Sequence, residues 1–159
     1  MMVRHATPED ISRIAEIIVF GKRMAYREIF QNDYFSFNEL QVMPIVDEFR
    51  AKQELLDNFL VYDDGIVRGV INRVNKEAET EICEFYVEPF FKRNGIGCEL
   101  MSALVEEAKA EGKKRIFLWV IKENLPGRNF YEKNGFVPTG EEMLIEGTDK
   151  LDMCYERIL

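Results

Sequence analysis

The sequence predicts an α/β (α+β) fold, a single domain over 1–159 with a mixed, mostly antiparallel sheet flanked by helices. Three observations predict it. Extended runs at 58–62, 66–74 and 81–87 follow one another across short turns, the pattern of successive antiparallel strands. The run from Arg115 to Ile121 is too apolar to have a solvated face and belongs inside the sheet. Between Val87 and that run lies an amphipathic helix, and strand-helix-strand inserted into an antiparallel meander gives a mixed sheet.

In chain order, Val3 to Ala6 is a short opening strand, and Thr7-Pro8-Glu9-Asp10 is a helix start. A capping Thr, a Pro in the first turn and acids near the positive pole favour it. Ile11, Ile14, Ala15 and Ile18 supply its buried stripe. From Gly21 to Asn58 the pattern is irregular and aromatic, with Tyr26, Phe30, Tyr34, Phe35, Phe37 and Phe49. Short helices at 24–30 and 44–56, joined by a loop through 32–38, are expected there. Asp63-Asp64-Gly65 makes a tight hairpin, and a loop at 75–78 returns the chain to the strand ending at Val87. Leu100, Met101, Leu104, Val105 and Ala108 then recur at helical spacing until Gly112. After the central strand, Pro126 suits the first turn of a helix and Gly135 its left-handed stop. A closing hairpin is expected over 141–146 and 151–157.

Composition narrows the function. At 159 residues, 47% hydrophobic and 31% charged, the chain is long enough for a substantial core and is not disordered. The six residues from Ile116 to Ile121, its longest aliphatic-aromatic run, are far too few to cross a bilayer, and the N-terminus has no apolar signal core. A cytoplasmic protein with no membrane role is expected. A net charge of -8 and a pI near 4.9 argue against a nucleic-acid surface. Three separated cysteines and one histidine offer neither a disulfide framework nor metal-ligand spacing.

The chemistry concentrates in the stretch from Glu81 to Glu111. Pro89-Phe90-Phe91-Lys92-Arg93-Asn94-Gly95-Ile96-Gly97 is a turn opening a helix. Its glycines let a ligand approach amides that lack intrahelical partners and lie at the positive helix pole, which suits a pyrophosphate. Lys92 and Arg93 add local positive charge. A dinucleotide fingerprint fails because Leu100 stands where a third small residue is needed, and no Gly-Lys-Ser/Thr ending exists for a Walker loop.

Lys92-x-x-Gly95-x-Gly97 followed by a helix resembles the acyl-CoA pyrophosphate loop of the Gcn5-related N-acetyltransferase (GNAT) family, with Lys92 at the position usually held by Arg or Gln. The string Asn124, then Phe130-Tyr131-Glu132-Lys133-x-Gly135-Phe136, resembles the family's second hallmark, with Asn129 where Ala is common. The resemblance implies splayed central strands and acetyl-CoA as co-substrate. It implies that the turn of Lys92, Arg93, Asn94, Gly95, Ile96, Gly97 and Cys98 holds the pyrophosphate. The backbone of Phe85 and Val87 and the side chain of Asn124 then bond the pantetheine arm, and a main-chain amide near Phe85 to Val87 polarises the thioester carbonyl.

Transfer to a primary amine requires a base for the ammonium, whose pKa is about 10.4 for a lysine-like group, and an acid for the departing thiolate. Glu81 and Glu84 are the candidate bases, and strand alternation places them on opposite faces unless a bulge intervenes. Both also read as solvent-facing strand carboxylates. The resemblance implies a proton-donor role for Tyr131; packing of Phe130 and Tyr131 on the sheet is the other reading. Cys98 and His5 read as structural. The expected partners are therefore acetyl-CoA and an amine acceptor, with a homodimer through exposed closing strands open. An acyl-CoA-binding module without efficient catalysis is the second reading. A generic phosphate binder leaves Asn124 and the 130–136 string unexplained.

Overall fold

The computed structural model describes residues 2–159. β1 (Val3–His5) leads through a 3-10 turn at Pro8–Asp10 into α1 (Ile11–Phe30). The expected helix start is present: the Thr7 backbone N–H donates to Asp10 Oδ2 at 2.8 Å, and Arg4 donates to the same oxygen at 2.7 Å. The Arg4 hydrogen bond holds the Asp10 carboxyl below the usual carboxylate range.

The helix expected separately at 24–30 is continuous with the first, and α1 runs 20 residues through Gly21. Gly21 is in the helix for room: a Cβ there would lie 2.6 Å from Cδ1 of Tyr86. α1 stops at Gln31, which adopts a left-handed φ of 51°. The expected loop at 32–38 contains a π-helical turn, Phe35–Glu39. α2 (Val42–Ala51) and a 3-10 stretch (Gln53–Asn58) follow.

The remaining elements are β2 (Phe59–Asp63), β3 (Val67–Asn75), β4 (Glu79–Val87), α3 (Ile96–Ala110), β5 (Arg115–Ile121), α4 (Leu125–Lys133), β6 (Val137–Leu144) and β7 (Leu151–Ile158). The order of hydrogen-bonded neighbours is β1-β2-β3-β4-β5-β7-β6, with β4 and β5 parallel. β6 begins earlier than expected. Its register with β7 is irregular between Pro138 and Glu142, where Gly140 has φ 93°, and this interruption removes the alternation by which a strand is read.

The chain divides into two compact units, each drawn from two stretches. One is the chain up to Arg73 together with Glu84–Leu104, and the other is Val74–Cys83 with Val105–Leu159. In the first, Ile14, Ile17 and Ile18 of α1 join Val46 and Phe49 of α2 and Phe59, Val61 and Val70 of the strands in one apolar cluster. In the second, β5 pairs with β7 along its whole length, from Arg115–Ile158 to Ile121–Asp152. The parallel ladder of β4 with β5 spans Glu79–Ile82 opposite Arg115–Leu118.

Candidate active site

In the first unit, the glycine-bearing turn is exposed and anchored at both ends. On its N-terminal side, Glu88 is buried, accepts from Arg13 Nη2 of α1 at 2.8 Å and donates its backbone N–H to the Arg68 carbonyl at 2.8 Å. Pro89–Phe91 then form one 3-10 turn, with the Arg68 guanidinium 4.3 Å from the centre of the Phe91 ring. On the C-terminal side, Ile96 is buried over Gly69 of β3. A Cβ on Gly69 would come within 2.9 Å of both Ile96 and Leu100, so a side chain there would lift the start of α3.

Between these anchors Lys92, Arg93, Asn94 and Gly95 are exposed. Arg93 has φ 65° and Gly95 φ 80°, two left-handed residues that bend the chain sharply ahead of α3. The Glu99 N–H already bonds the Gly95 carbonyl at 3.1 Å, so the helical ladder starts there. The amides of Ile96, Gly97 and Cys98 lie ahead of it at the positive pole. Donors without intrahelical partners, two cations and no bulky side chain over Gly95 fit a pyrophosphate.

On β4, Phe85 and Val87 are half-buried in a strand. Glu84 Oε1 accepts from Lys22 Nζ of α1 at 2.9 Å, while its Oε2 is buried without a hydrogen-bond partner. The Tyr26 and Tyr86 hydroxyls bond each other at 2.9 Å, one turn of α1 and two residues of β4 further on. Among the aromatics of 21–58, Phe49 packs edge-on against Phe59, 5.5 Å between centroids, in the core. Phe37 is exposed, with the Arg23 guanidinium 5.0 Å from its ring.

In the second unit, Glu81 Oε2 accepts from Lys76 Nζ at 2.9 Å, so both expected base candidates are in lysine ion pairs. Asn124 caps α4, its Oδ1 accepting from the Gly127 N–H at 3.1 Å. A Cβ on Gly127 would lie 2.7 Å from Asn124 Nδ2, so a side chain there would push the capping amide aside. Tyr131 packs edge-on against Phe130 and Phe136 with centroids 5.7 and 5.9 Å away. Past the end of α4 the Phe136 N–H bonds the Tyr131 carbonyl and the Gly135 N–H bonds the Glu132 carbonyl, both at 3.1 Å. This is the Schellman stop expected at Gly135. The buried Tyr155 hydroxyl of β7 donates to Glu132 at 2.8 Å and accepts from Arg128 at 3.1 Å, which holds the helix carrying Tyr131 against the strand.

Sequence reasoning missed Asp152 on β7. It is half-buried, it bonds no partner among the described residues, and burial alone raises its carboxyl above the usual range. Among the described residues no group of His, Cys, Asp or Glu has a metal-binding arrangement, and no helix is long and apolar enough to cross a membrane.

The model of the acetyltransferase (GNAT) family matches residues 23–136. A spermidine N(1)-acetyltransferase of Thermoplasma acidophilum is 23% identical over 98% of this chain and 95% of its own. An uncharacterised N-acetyltransferase of Methanocaldococcus jannaschii is 38% identical over 42% of this chain, and the matched stretch spans 29% of that protein's length. Among solved structures, the PaiA N-acetyltransferase of Thermoplasma acidophilum in complex with coenzyme A superposes with a TM-score of 0.76 at 23% identity, covering 99% of this chain and 98% of its own. A putative acetyltransferase of Salmonella typhimurium with acetyl-CoA gives 0.73 at 22% identity, covering 100% and 94%. With the anchored glycine turn opening α3 and the capped α4 carrying Phe130 and Tyr131, the chain belongs to the acetyltransferase (GNAT) family.

Proposed function

We propose that this protein transfers an acetyl group from acetyl-CoA directly to a primary amine of a small molecule or peptide. The observation that carries the reading is the exposed turn at Lys92–Cys98, held by Glu88 and Ile96, with its left-handed Arg93 and Gly95. Its amides are proposed to bind the pyrophosphate, the Phe85 and Val87 backbone and the Asn124 side chain to bond the pantetheine arm, and Tyr131 to protonate the leaving sulfur. The acceptor's proton needs a carboxylate. On β4 the candidates are Glu81 and Glu84, each of which must first release a lysine. The near-full-length similarity to a protein named for spermidine makes polyamines the first acceptors to test. Reading the donor as an intracellular metabolite, we place the protein in the cytoplasm. Val137, Met143 and Leu144, exposed on the terminal strand β6, support a homodimer within the same reading.

Replacing Gly97 with Asp puts an anion among the amides at the start of α3. Helix-terminus interactions are worth up to ~2 kcal/mol, so acetyl-CoA affinity should fall about 30-fold or more by titration calorimetry, with the circular dichroism spectrum unchanged. Unaltered affinity in a folded variant removes the turn from donor binding. Donor binding by wild-type protein without thiol release on polyamines, aminoglycosides, amino acids or N-terminal peptides would instead favour a binding module.

A further inference from the structure

On the transferase reading, the acceptor's ammonium must give up a proton to some group before its nitrogen can attack. β5 ends at Ile121 and passes through Lys122–Asn124 into α4, so the strand end leads directly to the cap and helix that carry Asn124 and Tyr131. The residue of β7 opposite Ile121 is Asp152, a register fixed by the Lys122 N–H bonding the Leu151 carbonyl at 2.8 Å. Cross-strand partners share a face. Asp152 therefore lies on one face with Ile121 and Trp119 of β5, Cys154 of β7 and, across the other edge, Met143 of β6. That strip is apolar around it; Ile121 and Cys154 are buried.

Charged groups near this strand end are occupied elsewhere. Lys122 donates to Glu142 at 2.8 Å, and Lys150 lies 3.8 Å from Glu123 and 3.6 Å from Asp149. Carboxylates on neighbouring strands are also committed: Glu79 and Glu156 to Arg115, Glu81 to Lys76 and Glu84 to Lys22. Asp152 has no cation, although removing a carboxylate from water without one is costly. The burial that lifts its carboxyl acts without opposition from any charge on β5, β6 or β7. An incoming ammonium supplies what the site lacks.

We propose that Asp152 receives the acceptor's ammonium and takes its proton. One proton passes from R–NH3+ to the Asp152 carboxylate and on to solvent, leaving R–NH2. The nitrogen lone pair forms the C–N bond to the thioester carbonyl carbon, and the C–S bond breaks. The phenol of Tyr131 protonates the sulfur and recovers the second N–H proton, so the products are the acetamide, CoA–SH and one released proton.

The test uses the full chain with acetyl-CoA and three acceptors: spermidine, L-lysine and an alanine-initiated tetrapeptide. Thiol release is followed from pH 5.5 to 9.5 for wild type, D152N, D152E, E81Q and E84Q, with donor affinity from calorimetry. D152N should bind acetyl-CoA as wild type does and lose about 100-fold in kcat/KM at pH 7. The deficit should shrink toward pH 9.5, where the amine sheds its own proton, and D152E should restore an acidic limb. E81Q and E84Q should keep that limb. A D152N profile matching wild type, a deficit that does not shrink with pH, or loss of the limb in E81Q or E84Q alone overturns the assignment while leaving the transferase reading standing. Wild-type protein that binds acetyl-CoA and releases no thiol with any acceptor overturns both. Asn is isosteric and costs less to bury than a carboxylate, so D152N should fold.

Discussion

Two side chains of the second unit carry opposite lessons about what a residue can reveal by itself. Tyr131 was legible because it stands in a short string ending at Gly135-Phe136, and the structure shows the Schellman stop that makes the string local. Its ring is packed between Phe130 and Phe136, so Tyr131→Phe removes the hydroxyl and keeps both ring contacts. Turnover should drop about 10-fold or more with acetyl-CoA affinity nearly intact, measured by thiol release and calorimetry; unchanged turnover removes the phenol from the proton path. Asp152 was not legible, because an aspartate in a strand reads as solvent-facing until the register is known. Its stability signature is independent of any substrate. A carboxyl whose folded pKa lies above its unfolded value binds more protons in the native state, so stability declines as pH rises through that window and the full cost persists above it. Asp152→Asn should therefore melt higher than wild type at pH 7. The gap should close below about pH 4, near the unfolded carboxyl pKa. Equal melting temperatures at pH 7 contradict the desolvation.

Elements whose signal is local were read correctly from sequence, and elements set by contacts were not. β5 spans Arg115–Ile121 as expected because a continuous apolar run between Arg115 and Lys122 needs no partner to be recognised. α1 was expected as two helices because the apolar spacing is lost in the aromatic stretch that opens at Gly21; the glycine itself sits inside one continuous helix, under the Tyr86 ring of another element. The two effects differ in sign, which makes Gly21→Ala informative. Helix propensity favours Ala by about 1 kcal/mol, whereas a Cβ 2.6 Å from Tyr86 Cδ1 forces ring and helix apart at a cost of about 1–3 kcal/mol. Displacement also strains the Tyr26–Tyr86 hydroxyl pair and the Lys22–Glu84 ion pair on the same side of α1. Net destabilisation is expected in urea unfolding. A more stable variant shows that Tyr86 yields freely and that the glycine is there for another reason.

Across the whole molecule, charge is distributed so that donor binding should respond to salt in two directions. The chain carries a net charge of -8, while Lys92 and Arg93 lie exposed beside the amides that open α3. An anionic donor is thus repelled by many distant acids and attracted by a few near groups, and the two act over different ranges. The Debye length is about 30 Å at 0.01 M salt, about 10 Å at 0.1 M and about 3 Å at 1 M. The first rise in salt should screen mostly the distant repulsion, and the second mostly the local attraction. Acetyl-CoA affinity by calorimetry should therefore strengthen between 0.01 and 0.1 M and weaken between 0.1 and 1 M. Replacing Lys92 and Arg93 together with Ala should flatten the high-salt branch and leave the low-salt branch in place. Steady weakening from the lowest salt upward would mean that the turn's own cations outweigh the acidic surface at every range, and net charge would then have no say in donor capture.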